Sequence, residues 1–418
     1  MSIAMNEYRN VSNSSTIVVR TVCATVFFVV SFCYLYFYQS PILAVEQRLL
    51  LHDLFRCSPN VGAHFSPSLG AQYSPFLGAL LITLAMVALQ HCMFAVQRYY
   101  RRSRLGLHAL TYLPSFILLW YLTDMPVLRA HDDSNVVLWW VVRVLLLAAA
   151  IVLPMLLRSC RAGVFSALSR RISTANIYLT NLLLMIAMSV ALGLLGNGDK
   201  SLHCRARMER CLAEGRAEDA LKVCDFIKED EVHVNMLRFY ALAMVGELGE
   251  KMFARNFSSA TARLLPMDGE EFLIYPSKHF FGFLGAYPRQ GMTEVEYLQK
   301  TLRQGLGNIH TWEYLLCAHL LRSDLHAFAR DYLRSPFNGQ KLPRHFREAL
   351  LLYNRHSASP VSDFKDRVMA ADFRDFLSLY KRNKDPRLRY SSLREMYGNS
   401  YWFYYYYSNS GKLSSASH

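Results

Sequence analysis

Charged side chains are scarce in this 418-residue chain, where Asp, Glu, Lys and Arg together make 19% against roughly 25% in soluble domains. The shortage falls almost wholly before Gly196, where long apolar runs recur. That placement excludes a chain soluble throughout, and equally a disordered or collagen-like one. Familiar chemical signatures are also missing. There is no Gly-rich phosphate loop, no Gly-x-Ser-x-Gly nucleophile elbow and no His-Glu-x-x-His helix, so no cofactor is expected. The nine cysteines include no Cys-x-x-Cys pair, and neither His310 with Glu313 nor His319 with His326 has a third ligand at helical spacing, so no metal is expected. Strand-type alternation is absent before the C-terminal end, which makes the class all-α.

What is present divides the chain in two. Residues 1–196 hold 14 Lys+Arg and 6 Asp+Glu, while residues 197–418 hold 32 and 26. The basic excess of the first half sits in short loops, where the positive-inside rule accounts for it, so no nucleic-acid partner is expected. Five stretches are apolar over about the 20 residues that a bilayer crossing needs: 17–38, 76–96, 105–122, 136–157 and 177–195. Arg98, Arg101, Arg102 and Arg104 follow the second, and Arg158, Arg161, Arg170 and Arg171 follow the fourth. These loops face the cytoplasm on the positive-inside rule, which puts the N-terminus inside and everything after Leu195 outside. The expected partner of this half is the lipid bilayer.

The outer loops collect groups able to act as acid, base or ligand: Glu46, His52, Asp53 and His64 in the first, and Asp124, His131, Asp132 and Asp133 in the second. Glu46, Asp53, Asp132 and Asp133 are the catalytic candidates, with ordinary solvated loops as the alternative. Arg143 lies one helical turn from Trp139 and Trp140. It either snorkels to the headgroups or touches a substrate or headgroup directly. Gln90, His91, Thr180 and Asn181 are expected to hydrogen-bond between helices.

From Ser201 onward the pattern becomes paired amphipathic helices. Leu202 to Glu214 and Ala217 to Phe226 flank Gly215, and Val234 to Val245 and Leu248 to Phe257 flank Gly246. The two glycines are 31 residues apart, near the roughly 34-residue tetratricopeptide period, and a looser echo runs from Asn308 through Ser323 to Leu333. A tetratricopeptide-like α-solenoid over residues 197–400 is the expectation. Residues 258–291 read as loops with one short helix. Thr293 with Glu296 forms a capping-box pattern, Pro343 marks a helix start, and Ser359 with Pro360 opens a helix to about Lys381. Glu313 lies on a helix apolar almost all round and so should be buried, either paired with Arg344 or Arg347 or serving as a binding group. Cys204 and Cys224 stand at similar heights in their hairpin, which allows either a disulfide or two small core residues.

The segments Asn308-Ile-His-Thr-Trp-Glu-Tyr-Leu-Leu, Leu342-Pro-Arg-His-Phe-Arg-Glu-Ala-Leu and Tyr401-Trp-Phe-Tyr-Tyr, together with Tyr38-Gln-Ser-Pro through Glu46-Gln47, resemble a domain-of-unknown-function family of Bacteroidota inner-membrane proteins. That resemblance implies a multi-span N-terminal part, a tetratricopeptide-like C-terminal part and a bacterial inner membrane, so that the outer side to which loop charge assigns the C-terminal domain is the periplasm. It implies no reaction.

Residues 401–407 are seven consecutive aromatics, and 408–418 read as a flexible tail. Tyr401, Trp402 and Phe403 could stack on a ligand, or the run could lie extended and cover the apolar end of the helices. Two functions follow. One is an adaptor whose outer helices bind another envelope protein or polymer, with Arg143, Glu313, Arg347 and the aromatic run as binding candidates. The other is a membrane enzyme or transporter, such as a transferase using a lipid-linked substrate at the acidic outer loops. Association into oligomers is compatible with either.

Overall fold

The computed structural model describes residues 2–43, 75–100, 108–123 and 174–408, apart from positions 197, 199, 228–229, 256, 268–271, 339–341, 358–359 and 362–365. All regular structure among the described residues is helical. The chain divides into two compact units, Met1–His203 and Cys204–His418.

In the first unit α1 (Ser2–Cys33) continues through a π turn at Tyr34–Tyr38, followed by α2 (Pro75–Tyr100), a 3-10 turn at His108–Tyr112, α3 (Leu113–Thr123) and α4 (Thr174–Leu195). Three helices among the described residues are long and apolar enough to cross a membrane: Ile17–Tyr38, Pro75–Ala95 and Tyr178–Leu195. Protein covers only 22%, 28% and 17% of them. Side chains such as Leu81, Leu183 and Ile186 therefore point outward uncovered, an arrangement costly in water and neutral in hydrocarbon.

Of the five expected spans, three correspond to these helices and one, 105–122, is corrected. Of the expected span 105–122, the described part from His108 on is not one long α-helix, because a 3-10 turn precedes α3, which has 11 residues and rises only about 16 Å. Pro114 is the cause: a residue without an N–H fits the first turn of a helix and not its middle, so α3 begins beside it. The expected span at 136–157 lies outside the described residues.

Polar side chains tie these helices together. Gln90 Nε2 donates to Thr111 Oγ1 at 3.1 Å, and Asn181 Oδ1 accepts from the Ala109 N–H at 2.9 Å. His91 differs from expectation: it is exposed and bonds to its own helix at the Val87 carbonyl. At the π turn Gln39 Nε2 donates to the Tyr34 hydroxyl at 3.0 Å, which also meets Thr123 Oγ1 at 3.1 Å.

The second unit contains α5 (Lys200–Ala213, which begins just before it), α6 (Ala217–Asp225), α7 (Val232–Val245), α8 (Leu248–Lys251), α9 (Lys278–Leu284), α10 (Glu294–Arg303), α11 (Ile309–Leu321), α12 (Leu325–Arg334), α13 (Arg344–His356), α14 (Arg367–Arg382), α15 (Pro386–Tyr397) and α16 (Tyr401–Ser408). Local signals set most boundaries. Thr293 and Glu296 form the reciprocal capping box of α10, and Asn308 and Thr311 form one for α11. Asp366 caps α14 through the Met369 N–H, so that helix starts at Arg367 and not near Ser359. Asp385 and Pro386 open α15, a helix the sequence reading passed over.

Consecutive helices pack as pairs, α6 on α7, α10 on α11, α11 on α12, α12 on α13 and α14 on α15. The unit also closes on itself, because α8 packs against α13 and α13 against α16. Such returns are foreign to a stack in which each repeat meets only its neighbours.

Four glutamates, three of them buried, add long-range ties to these returns. Glu209 accepts from the N–H groups of Ile274 and Tyr275, Glu294 from those of Leu264 and Leu265, Glu313 from Gly249 and Glu348 from Tyr401. Each carboxylate satisfies a backbone donor 29 to 66 residues away. An unpaired buried donor is expensive, so each bond fixes where a distant loop or helix start must lie.

Candidate functional site

The C-terminal aromatic run is a helix, α16, and not an extended segment. A short helix with no polar face is stable only where it is enclosed on several sides, and here Tyr401, Trp402, Phe403 and Tyr404 are all buried. Glu348 holds its start. One carboxylate oxygen accepts from Tyr401 N at 2.7 Å and from His345 Nδ1 at 2.9 Å, and the other accepts from Arg344 Nε at 2.9 Å. The Glu348 carbonyl accepts from Trp402 Nε1 at 3.0 Å. His345 Nε2 in turn accepts from the Phe253 N–H at 3.2 Å, which leaves its proton on Nδ1. The Trp402 ring packs at a tilt of 44° against Phe373, ring centres 4.8 Å apart.

Fixing α16 in this way creates a cleft beside it. Its volume is about 380 Å³, and it is lined by Phe253, Phe257, Phe403, Tyr404, Tyr407 and Tyr390, with Asp230, Arg255, Ser258, Ser259, Gly398 and Ser400 among them. The rings form two connected walls. Tyr404 lies 4.8 Å from Phe253 and 5.4 Å from Phe257, while Tyr407 lies 4.8 Å from Phe403 and 5.1 Å from Tyr390. Contributions come from three separated stretches of sequence: Asp230 ahead of α7, the 3-10 turn Met252–Ala254 with the loop after it, and α15 with α16.

The charged members of the lining are held by the protein itself. Asp230 accepts from Asn235 Nδ2, from the Ser258 N–H and from the Thr261 hydroxyl, each at 2.7 Å. Burial works to raise its carboxyl, and these hydrogen bonds outweigh it, so Asp230 stays below the ordinary carboxylate range. Arg255 donates to the carbonyls of Cys224 and Ile227 and to Cys224 Sγ. The Ser258 and Ser400 hydroxyls bond within the protein as well, so what the cleft presents to a ligand is aromatic rings with the exposed Ser259 at their edge. That combination suits a flat, partly apolar group with hydrogen-bonding edges.

Several anticipated residues have other places. Glu313 is 6% exposed, as its apolar helix required, but neither Arg344 nor Arg347 meets it. Its Oε1 accepts from Gly249 N at 2.9 Å. The close approach depends on Gly249 having no side chain, because a Cβ there would stand 2.9 Å from the Pro343 ring. Arg344 pairs with Glu348, and Arg347 pairs with Asp366 at 3.1 Å. Of the aromatic candidates, Tyr401 and Trp402 face the core and position α16, and Phe403 borders the cleft. Glu46, Asp53, Asp132, Asp133 and Arg143 lie outside the described residues.

Cys204 and Cys224 are free thiols. The disulfide alternative is not realised, since Cys224 is buried and its sulfur accepts from Arg255 at 3.1 Å. Burial pushes its thiol up, against the pull of Arg255. Sequence reasoning missed Phe253, Phe257 and Tyr390. A weak signal existed for the first two, which are four residues apart and so could share one helical face. Nothing in the sequence links them to Tyr404.

Residues 290–408 match the profile of a family of unknown function, DUF6057. The matched segment includes the Glu348 cluster and the α15 and α16 walls of the cleft, whereas Asp230, Phe253 and Phe257 precede it. No curated protein and no solved structure matches the chain.

Proposed function

We propose that this chain is a membrane-anchored helical-repeat interaction protein of the bacterial cell envelope. Its apolar helices anchor it in the inner membrane, and its second unit, built of helix pairs closed on themselves, receives another envelope protein or polymer. The observation that carries this reading is the aromatic cleft of about 380 Å³ beside α16. Its position is built by an extensive buried network, and its charged groups are committed internally, so its free chemistry is that of a binding surface. A photoreactive residue at the exposed Ser259 tests this in cells. A discrete adduct is expected that disappears when Tyr390 and Tyr407 are both changed to Ala. No adduct, or one that ignores both changes, refutes it.

The proposal includes the orientation read from loop charge, with the N-terminus in the cytoplasm and the second unit in the periplasm. An alkaline phosphatase fusion after Lys200 is then active. Activity of a cytoplasm-only reporter at that point overturns the orientation and leaves the cleft reading standing.

A further inference from the structure

We infer that the turn between α14 and α15 is a second contact surface, docking on the anionic headgroups of the bilayer in which the chain is anchored. Lys381 and Arg382 end α14, Lys384 lies in the turn, Arg387 is in the first turn of α15 and Arg394 is about two helical turns further on; all five are exposed. Among the described residues Lys381, Arg382, Lys384 and Arg387 have no carboxylate partner. The acid in their midst, Asp385, is occupied in capping α15 through the Arg387 N–H at 2.9 Å. Glu395 is the only other acid between Lys381 and Met396.

Helix stability explains part of this pattern and fails for the rest. Cations at the end of α14 complement its dipole, but Lys384 and Arg387 crowd the N-terminus of α15, where positive charge is unfavourable. Exposed apolar side chains accompany them. Leu388 is 60% and Met396 66% exposed, and in α15 Leu393 alone is fully buried. Cations interleaved with uncovered apolar groups on a short helix fit the boundary between headgroups and acyl chains. A soluble polyanion would use the charges and leave Leu388 and Met396 in water.

The turn is also rigid. The Arg389 guanidinium folds back onto the carbonyls of Asn383 and Lys384 at 2.8 and 3.2 Å and lies over the Tyr380 ring at 4.8 Å. The surface is thus formed before any lipid meets it.

The test uses the full chain in vesicles of phosphatidylcholine alone or with about 30% phosphatidylglycerol, followed by hydrogen exchange. Peptides covering 381–397 are expected to exchange at least about threefold more slowly in the anionic vesicles. The protection should vanish at about 0.5 M NaCl, and in the variant Arg382→Glu with Arg387→Glu. Exchange across α13 reports that the variant is folded, and Arg289→Glu, an exposed cation elsewhere, should keep the protection. Equal exchange in both vesicles overturns the inference, as does protection that survives the double change. Protection produced equally well by soluble polyphosphate over neutral vesicles also overturns it, in favour of a soluble anionic polymer.

Discussion

Replacing Glu348 by Leu should do more damage than removing one surface-accessible carboxylate ordinarily does. The side chain is almost fully buried and receives three donors, from Arg344, His345 and Tyr401. Arg344 is partly exposed and can turn to water, so its loss costs little. His345 and the Tyr401 N–H are buried and have nowhere to go. Each stranded donor costs roughly 1–3 kcal/mol, which puts Glu348→Leu at about 3–5 kcal/mol. Glu348→Gln keeps an acceptor for both but loses the charge, for a cost of about 2 kcal/mol. In a unit of this size 1 kcal/mol moves the melting temperature by roughly 2–4 °C, so the expected falls are about 4–8 °C for Gln and about 6–20 °C for Leu. Near-UV circular dichroism of the detergent-solubilised full chain reads this through the aromatic cluster that Glu348 positions. A Leu variant melting within about 2 °C of the parent would refute the claim that this carboxylate pins α16.

Trp402→Ala removes a ring that is 3% exposed, and a loss of about 3–5 kcal/mol is expected; a thermal melt unchanged from the parent would place the tryptophan outside the core. Gly285→Ala should cost at least about 2 kcal/mol, because φ is +97° and the new Cβ would lie 2.0 Å from the Leu306 carbonyl oxygen; chemical denaturation showing an unaltered midpoint would contradict that geometry. Burial pushes the His319 imidazole below its ordinary 6.5, against the opposing pull of Asp331 at 2.9 Å. Just below that pH the unfolded chain therefore binds more protons than the folded one, and stability drops as the pH falls through 6.5. His319→Gln should flatten this dependence, and parallel curves for parent and variant would show that His319 is not its source.

The sequence by itself determined the features that depend on neighbours along the chain. Apolar runs of bilayer length announced the three helices that, among the described residues, are long and apolar enough to cross a membrane, because length and composition need no partner to declare them. Thr293 with Glu296, Gly215 and Gly246 marked helix ends, since capping and left-handed turns are settled within a few residues. The burial of Glu313 was legible for the same reason, being a property of the helix that carries it. Tertiary structure decided who meets whom. The partner of Glu313 is a backbone N–H 64 residues away rather than an arginine on the following helix, and no local pattern encodes a donor that every residue but proline possesses. The aromatic run became a helix because its surroundings enclose it on several sides, which relaxes the need for a polar face. The cleft is the most remote from sequence of all. Its walls come from Phe253, Phe257, Tyr390 and Tyr404, and they meet only because buried glutamates fix distant backbone segments in one arrangement, an effect of packing that spacing along the chain does not carry.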